Sequence, residues 1–407
     1  MAKMKTPFTS LDGKSMCFYR LLGALGAVAA VGLGSAFYME HHGHVVTGMG
    51  NQVVWGLPHV FAIFLIVAAS GALNVASIAS VFGKAPYKPL APLSGLTALA
   101  LLAGGLMVLV LDLGRPDRLF VAMTHYNFTS IFAWNVILYN GFFAIVGVYL
   151  WTMLDRRMNP HTAKAGMAAF IWRLVLTTGT GSIFGFLVAR ETYHSAVMAP
   201  LFIAMSLSFG TAAFLLIVAG LYRLEGRELG DAIVNRLAKL LAVFVAAVFY
   251  FVVVQHLTNL YTARGGEVER FFLASGGVYT VLFWFGQMLI GTAIPLGLLL
   301  HPAFKGTRSN LLLAAALVIL GGLAQVYVIV IGGQAFPLNL FPGMQVTSAA
   351  FDGRVGAYDP SLPEFLLGLG GAAVALLIIT VASAALRFLP ASLADAAVDP
   401  HHAKANA

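Results

Sequence analysis

Residues able to exchange protons or donate hydrogen bonds gather in a few short stretches of an otherwise apolar chain. VLDLGRPDRL (residues 110–119) sets Asp112, Arg115, Asp117 and Arg118 directly after an almost uninterrupted apolar run. WGLPHVF (55–61) places Trp55 and His59 one helical turn apart on one face, with Pro58 where a helix start tolerates it. HYNFTSIFAWN (125–135) offers His125, Asn127, Ser130 and Trp134, and RETYH (190–194) offers Arg190, Glu191, Tyr193 and His194. QHLTN (255–259) adds Gln255, His256 and Asn259. Imidazoles and carboxylates trade protons with water or a bound group, and a neighbouring arginine keeps a carboxylate ionised. Arg115 and Arg190 are placed to do this for Asp112 and Glu191.

The elements that must position these residues are membrane helices. Of 407 residues, 59% are hydrophobic and 10% charged, against roughly 25% charged in a soluble domain. Apolar runs fall near 17–39, 53–82, 90–112, 131–154, 167–190, 197–222, 237–260, 274–300, 310–333 and 364–388. Each approaches the roughly 20 residues that span a bilayer as a helix, and the runs are too long and continuous for barrel strands. The expected fold class is therefore an all-α polytopic membrane protein of about ten transmembrane helices. The basic N-terminus precedes the first apolar run with no cleavage-site pattern, so that run reads as a retained helix. The single cysteine, Cys17, cannot ligate an iron–sulfur cluster, and the chain has no C-x-x-C-H haem attachment.

The net charge of +8 reads as cytoplasmic loops, not a nucleic-acid surface. With the N-terminus inside, 18 Lys and Arg residues fall on the cytoplasmic side, Arg173 among them, against 6 outside. The positive-inside rule then puts both termini in the cytoplasm. The polar stretches all lie at the outer helix ends. The loop 334–363, rich in Gly and Pro, is expected to fold across that face.

Spans one, six and ten have no ionisable residue in their interiors, and no chain of Asp, Glu and Lys crosses the bilayer. That argues against a carboxylate-relay pump. Five helix ends instead contribute His, Asp, Glu, Arg, Asn and aromatic groups at one depth. A quinone suits them: its flat ring needs hydrogen-bond donors and a proton acceptor, and its tail an apolar slot. Nothing in the spacing of His59 and His256 demands a haem between them, and the loop histidines of HHGH (41–44) do not form a designed metal site. Asp112 with Arg115 also fits a structural helix-end pair, and most Trp and Tyr residues fit an interfacial belt. Asn74, Asn140, Gln287 and Gln325 read as interhelical hydrogen-bond partners.

A span ending in Asp-Leu-Gly-Arg-Pro, followed by Asn127 to Trp134 in an N-x-x-S-x-x-x-W arrangement, resembles the NrfD/PsrC family. PLFIAMSLSFGTA (200–212), YVIVIGGQAFPL (327–338) and WGLPHVFAIFLIVAASGALN (55–74) agree with it. The resemblance covers roughly residues 52–340 and is greatest towards DsrP-like subunits, with HmcC-type subunits next. It implies two four-helix bundles, spans two to five and six to nine, plus one extra helix at each end. Residues 1–50 would hold the first extra helix, 51–340 the eight-helix core, and 341–407 an outer loop, the last helix and a tail. The family's members are quinone-interacting membrane subunits of respiratory complexes, and the resemblance implies menaquinone or ubiquinone with no haem or iron–sulfur cluster of the chain's own. His59 and Asp112 match the family's quinone-side histidine and acid. Trp55, Arg115, Asn127, Trp134, Arg190, Glu191, His194 and His256 complete the expected binding set. A tyrosine of the family's fourth core helix is replaced in Ile183-Phe184-Gly185; Glu191, Tyr193 or His194 are the candidates to compensate.

The implied partners are a periplasmic ferredoxin-like iron–sulfur subunit, a multihaem cytochrome c, a haem b membrane subunit and a cytoplasmic iron–sulfur subunit. The implied location is a bacterial cytoplasmic membrane, with the quinone site towards the periplasm. Two other readings stay open at this point. A structural anchor would dock partners without binding quinone. A secondary transporter would need helices broken near the midplane, where only Pro295 lies inside a span.

Overall fold

A computed structural model describes residues 7–263, 265–338 and 353–398 of the chain. Ten helices in it are long and apolar enough to cross a membrane: α1 Met16–His42, α2 Leu57–Ser80, α3 Ala85–Leu111, α4 Ile131–Leu154, α5 Asn159–Phe186, α6 Met198–Leu224, α7 Asp231–Tyr261, α8 Val278–Leu300, α9 Arg308–Ala335 and α10 Leu362–Ala385. Each matches one expected run. Lipid offers no partner for N–H or C=O groups, so a spanning chain that leaves none unpaired is helical.

Helices α2 to α5 form one bundle and α6 to α9 a second, joined chiefly by α6 packing on α2 and α5. Small residues bring the two bundles together. A Cβ on Gly71 would lie 1.5 Å from the Ser206 carbonyl oxygen, and one on Gly210 would lie 2.2 Å from the Ala72 nitrogen. The end helices α1 and α10 pack as a pair, Gly32 against Gly370, and α10 rests on α3 and α2. The first and last segments therefore meet in space. At the opposite end from Asp112 they also pair as short strands, β1 Phe8–Thr9 with β2 Leu389–Pro390. Of the loop 334–363, residues 339–352 lie outside the described residues. Residues 353–361 do fold back, with Gln52 donating to the Arg354 carbonyl and Gly356 N–H to the Ala335 carbonyl. Lys3, Lys5, Arg264 and Lys404 of the charge count also lie outside the described residues.

Arg173 corrects one expectation. It is not at the inner surface but 2% exposed inside the first bundle. Helix α2 breaks at Leu73, between Leu57–Ala72 and Asn74–Ser80. There the guanidinium donates to the Ser70 carbonyl at 3.3 Å and to Asn74 Oδ1 at 2.9 Å. A broken helix frees polar groups that need donors, and an arginine fork supplies several. The charge count becomes 17 to 6 without changing sign. Asn74 is thus the expected interhelical partner, whereas Asn140 is exposed and bonds its own helix at the Val136 carbonyl.

Gly71→Val puts side-chain carbons where the Ser206 backbone sits. It is expected to cost more than the roughly 1–3 kcal/mol of ordinary overpacking. Gel filtration and thermal melting of purified variants should show loss of monodisperse protein, while a lipid-facing Gly23→Val, with nothing within 4 Å of its Cβ, should behave as the parent.

Candidate functional site

The antiparallel course of α2 and α3 brings the start of one beside the end of the other. His59 lies in the first turn of α2, and Asp112 caps the end of α3, its N–H reaching the Val108 carbonyl. Nδ1 of His59 and Oδ2 of Asp112 are 2.6 Å apart, with side-chain exposures of 13% and 0%. The contact lies off the line of a full N–H···O bond, and Asp112 Oδ1 has no partner. A buried carboxylate left this short of hydrogen bonds is costly.

Distant segments hold the first turn of α2 in place. The Leu57 N–H donates to the Tyr358 hydroxyl (2.6 Å), which donates to Glu364 (2.7 Å). Glu364 is fully buried and also accepts the N–H groups of Gly48 and Ser361. Just before that turn, the Gln334 amide accepts the N–H groups of Val54 and Trp55 and donates to the Trp55 carbonyl. Gly114 follows Asp112 at φ +68°, with the His44 ring packed close against it.

His59 and Trp55 form one wall of a cavity of about 410 Å³ inside the first bundle. Ile66, Leu106, Leu109, Ile183, Phe132 and Phe184 give it an apolar surface, and Asn135, Tyr139, Asn140 and Thr180 supply polar groups. Asn135 is held by the Ile131 and Gly179 carbonyls, and its Oδ1 accepts from Thr180. The loop after α3 roofs the cavity with Leu113, Leu119 and Met123. Lining residues such as Asn140 are exposed on the bundle surface, so the cavity reaches the side of the protein. Its size and few polar groups on an apolar wall suit a small-molecule site.

The expected residues divide into three groups. Trp55 and His59 line this cavity, and Asp112 stands behind His59. Arg115, Asn127 and Trp134 shape the roof: Arg115 pairs with Asp117 and holds that carboxyl below the usual carboxylate range. Asn127 accepts from Thr129, and the Trp134 indole donates to the Phe128 carbonyl. Arg190 binds the Gln334 and Gln52 carbonyls, at 2.8 and 2.9 Å, and so braces the start of α2. Neither arginine therefore serves the carboxylate expected of it. Glu191 and His194 are exposed and line neither described cavity.

His256 lies in the second bundle beside a different, smaller cavity, paired with Glu269 at 2.5 Å. Tyr193 does not restore the missing phenol, because its hydroxyl donates to the Val330 carbonyl. Sequence reasoning misses Tyr139, Asn135, Thr180 and Glu269. The first three sit inside apolar spans, where only the neighbouring Trp134 hints at them. Among the described residues no three His, Cys, Asp or Glu side chains are grouped to hold a metal ion.

Ten spans, with a buried histidine–carboxylate contact at helix ends beside an apolar cavity, define a multi-pass helical membrane protein with an internal cavity. Residues 45–338 match the family described as polysulphide reductase, NrfD; the chain belongs to that family. It is 29% identical to the Hdr-like menaquinol oxidoreductase integral membrane subunit of Archaeoglobus fulgidus, over 97% of this protein and 100% of that one. It is 24% identical to a subunit of the selenate reductase of Mesobacillus selenatarsenatis, over 88% and 92%. It is 25% identical to a component of the polysulfide reductase of Wolinella succinogenes, over 70% and 96%.

Tyr358→Phe removes one partner from Glu364 and one from the Leu57 N–H. It is expected to destabilise the protein by about 1–3 kcal/mol, the cost of a buried group left unsatisfied. Denaturant or thermal melts of the purified variant check this.

Proposed function

We propose that this chain binds a quinone or quinol in the cavity of the first bundle, as the membrane subunit of a multisubunit electron-transfer complex. The observation that carries the reading is the His59–Asp112 contact, buried at the polar end of an apolar cavity of about 410 Å³. The residues present fit the group: His59 faces the cavity with the buried Asp112 behind it, the cavity is large enough for a flat ring, and its open side offers a tail a way to lipid. A bound quinol supplies electrons and protons, the electrons leaving to a partner's redox centre. His59, with Nδ1 turned to Asp112, keeps Nε2 for the cavity and accepts a proton there. Asp112 orients the imidazole and stabilises its charged form. Trp55 stacks at 6.2 Å from the His59 ring and limits its rotation. Asn135, Tyr139 and Thr180 orient the ring from the other wall.

The relative from Archaeoglobus fulgidus supports menaquinol as the class of substrate. The positive-inside rule supports a cavity facing the outer side, with both termini in the cytoplasm. The DsrP-like resemblance extends the reading to a sulfur-metabolism complex. Its periplasmic iron–sulfur subunit and multihaem cytochrome c would lie above the roof, and a haem b subunit and a cytoplasmic iron–sulfur protein would complete it.

His59→Gln and Asp112→Asn should each lower quinol oxidation by the purified complex about 100-fold or more, the usual share of a positioned proton acceptor. Thermal stability should stay near the parent's. Unchanged kinetics in His59→Gln would remove His59 from the site, and absence of co-purifying quinone with no protection by a quinone-site inhibitor would favour a docking role.

A further inference from the structure

The second bundle holds its own histidine–carboxylate pair, which quinone binding in the first bundle does not use. His256, near the end of α7, meets Glu269 Oε2 through Nδ1 at 2.5 Å, and Asn259 donates to Oε1 at 2.8 Å. Glu269 lies on the short helix Gly266–Arg270 between α7 and α8. Its side chain is 1% exposed, and that of His256 is 20% exposed. The pair borders a cavity of about 50 Å³ with Gln255, Gln287 and Gln325. That is far below the roughly 300 Å³ of a small-molecule pocket but has room for a few water molecules. Gln325 is 3% exposed and its side-chain nitrogen has no protein partner. Gln287 and Gln325 also line a smaller void with Ser208 and Thr292, so polar groups continue into the bundle.

Two further observations mark this place. Among the described residues all π-helical backbone lies here, at Phe271–Ser275, Leu282–Ala293 and Val328–Gly332. Such widened turns are rare and frequent at functional sites. The cavity is also walled off from the first: Phe184, which lines the large cavity, packs edge-on at 5.3 Å against Tyr193, which lines the small one. Among the described residues, Tyr193 is the only other titratable group in the lining, and its hydroxyl is committed to Val330. The side chains from α6, α8 and α9 facing the pair are apolar or amides, and no Lys or Arg is among them. Glu267 and Arg270 of the short helix are exposed.

We infer that His256 and Glu269 form a second proton-binding site, taking one proton and water from the end at which α7 finishes. With no Lys or Arg among the described lining residues, a neutral imidazole beside the carboxylate leaves a buried negative charge. One proton shared between Nδ1 and Oε2 neutralises the pair, and burial favours that state. Hydronium returns to water as the new bond to the proton forms, and no electrons move. His256, the more exposed partner, is the entry, and Asn259 fixes the far carboxylate oxygen.

Infrared difference spectra between acidic and alkaline buffers test this on the full chain in nanodiscs, without added quinone. Imidazole and carboxyl bands that move in heavy water are expected to disappear together in His256→Gln and in Glu269→Gln, and to persist in Asp112→Asn. Asn259→Ala should shift the carboxyl band without removing it, which keeps the test open should Glu269→Gln not fold. Spectra unchanged in the second-bundle variants would overturn the assignment, as would bands lost only in Asp112→Asn. Because Asp112→Asn bears only on the first cavity, failure here leaves the quinone reading untouched.

Discussion

Lipid provides no hydrogen bonds, and the rest of this structure follows from where that shortage falls. A spanning helix satisfies its own backbone except in its first and last turns, so the helix ends are where other groups must be brought in. At the start of α2 they come from far along the chain: Tyr358, backed by Glu364, and Gln334, itself tied through its carbonyl to Arg190. These groups fix the turn that carries His59. The same rule makes Asp112 consequential, because it closes α3 beside a helix start and has His59, not water, as its neighbour. The geometry of the cavity is thus a by-product of finishing helices properly.

Spans are legible in the sequence because bilayer thickness forces each into a long apolar run, and all ten runs form helices, most ends falling within a few residues and the start of α5 eight residues early. Departures from regularity are not legible. The break at Leu73 has no Pro and is hinted at only by the Ser70-Gly71 pair just before it, and the π-helical stretches of α8 and α9 read as ordinary apolar sequence. Charge near a helix start usually lies at the surface, which is where the sequence points for Arg173. Only the break in a neighbouring helix reveals why it is buried.

The candidate site is legible by residue type and not by pairing. His59 and Asp112 stand out, but sequence proximity favours Arg115 as the acid's partner. Gly114 at positive φ turns the chain there, and Arg115 goes outward to Asp117. His256 stands out as well, but its acid lies in the loop beyond α7, where no periodicity points to it. Helices at one depth need not share one site; here an aromatic wall of Phe184 and Tyr193 stands between two.

The two histidine–carboxylate pairs are chemically alike and their surroundings differ. Around His59 the lining is chiefly apolar, the volume suits a ring, and the carboxylate lacks hydrogen bonds. Around His256 the lining carries several amides, the volume suits water, and both carboxylate oxygens are engaged. A histidine backed by a buried acid and facing a large apolar space favours a flat ligand with polar groups of its own. A fully bonded acid beside a small amide-lined space favours a proton alone. The same residue pair can serve either end because the helices around it, and not the pair, set the size and polarity of what it faces.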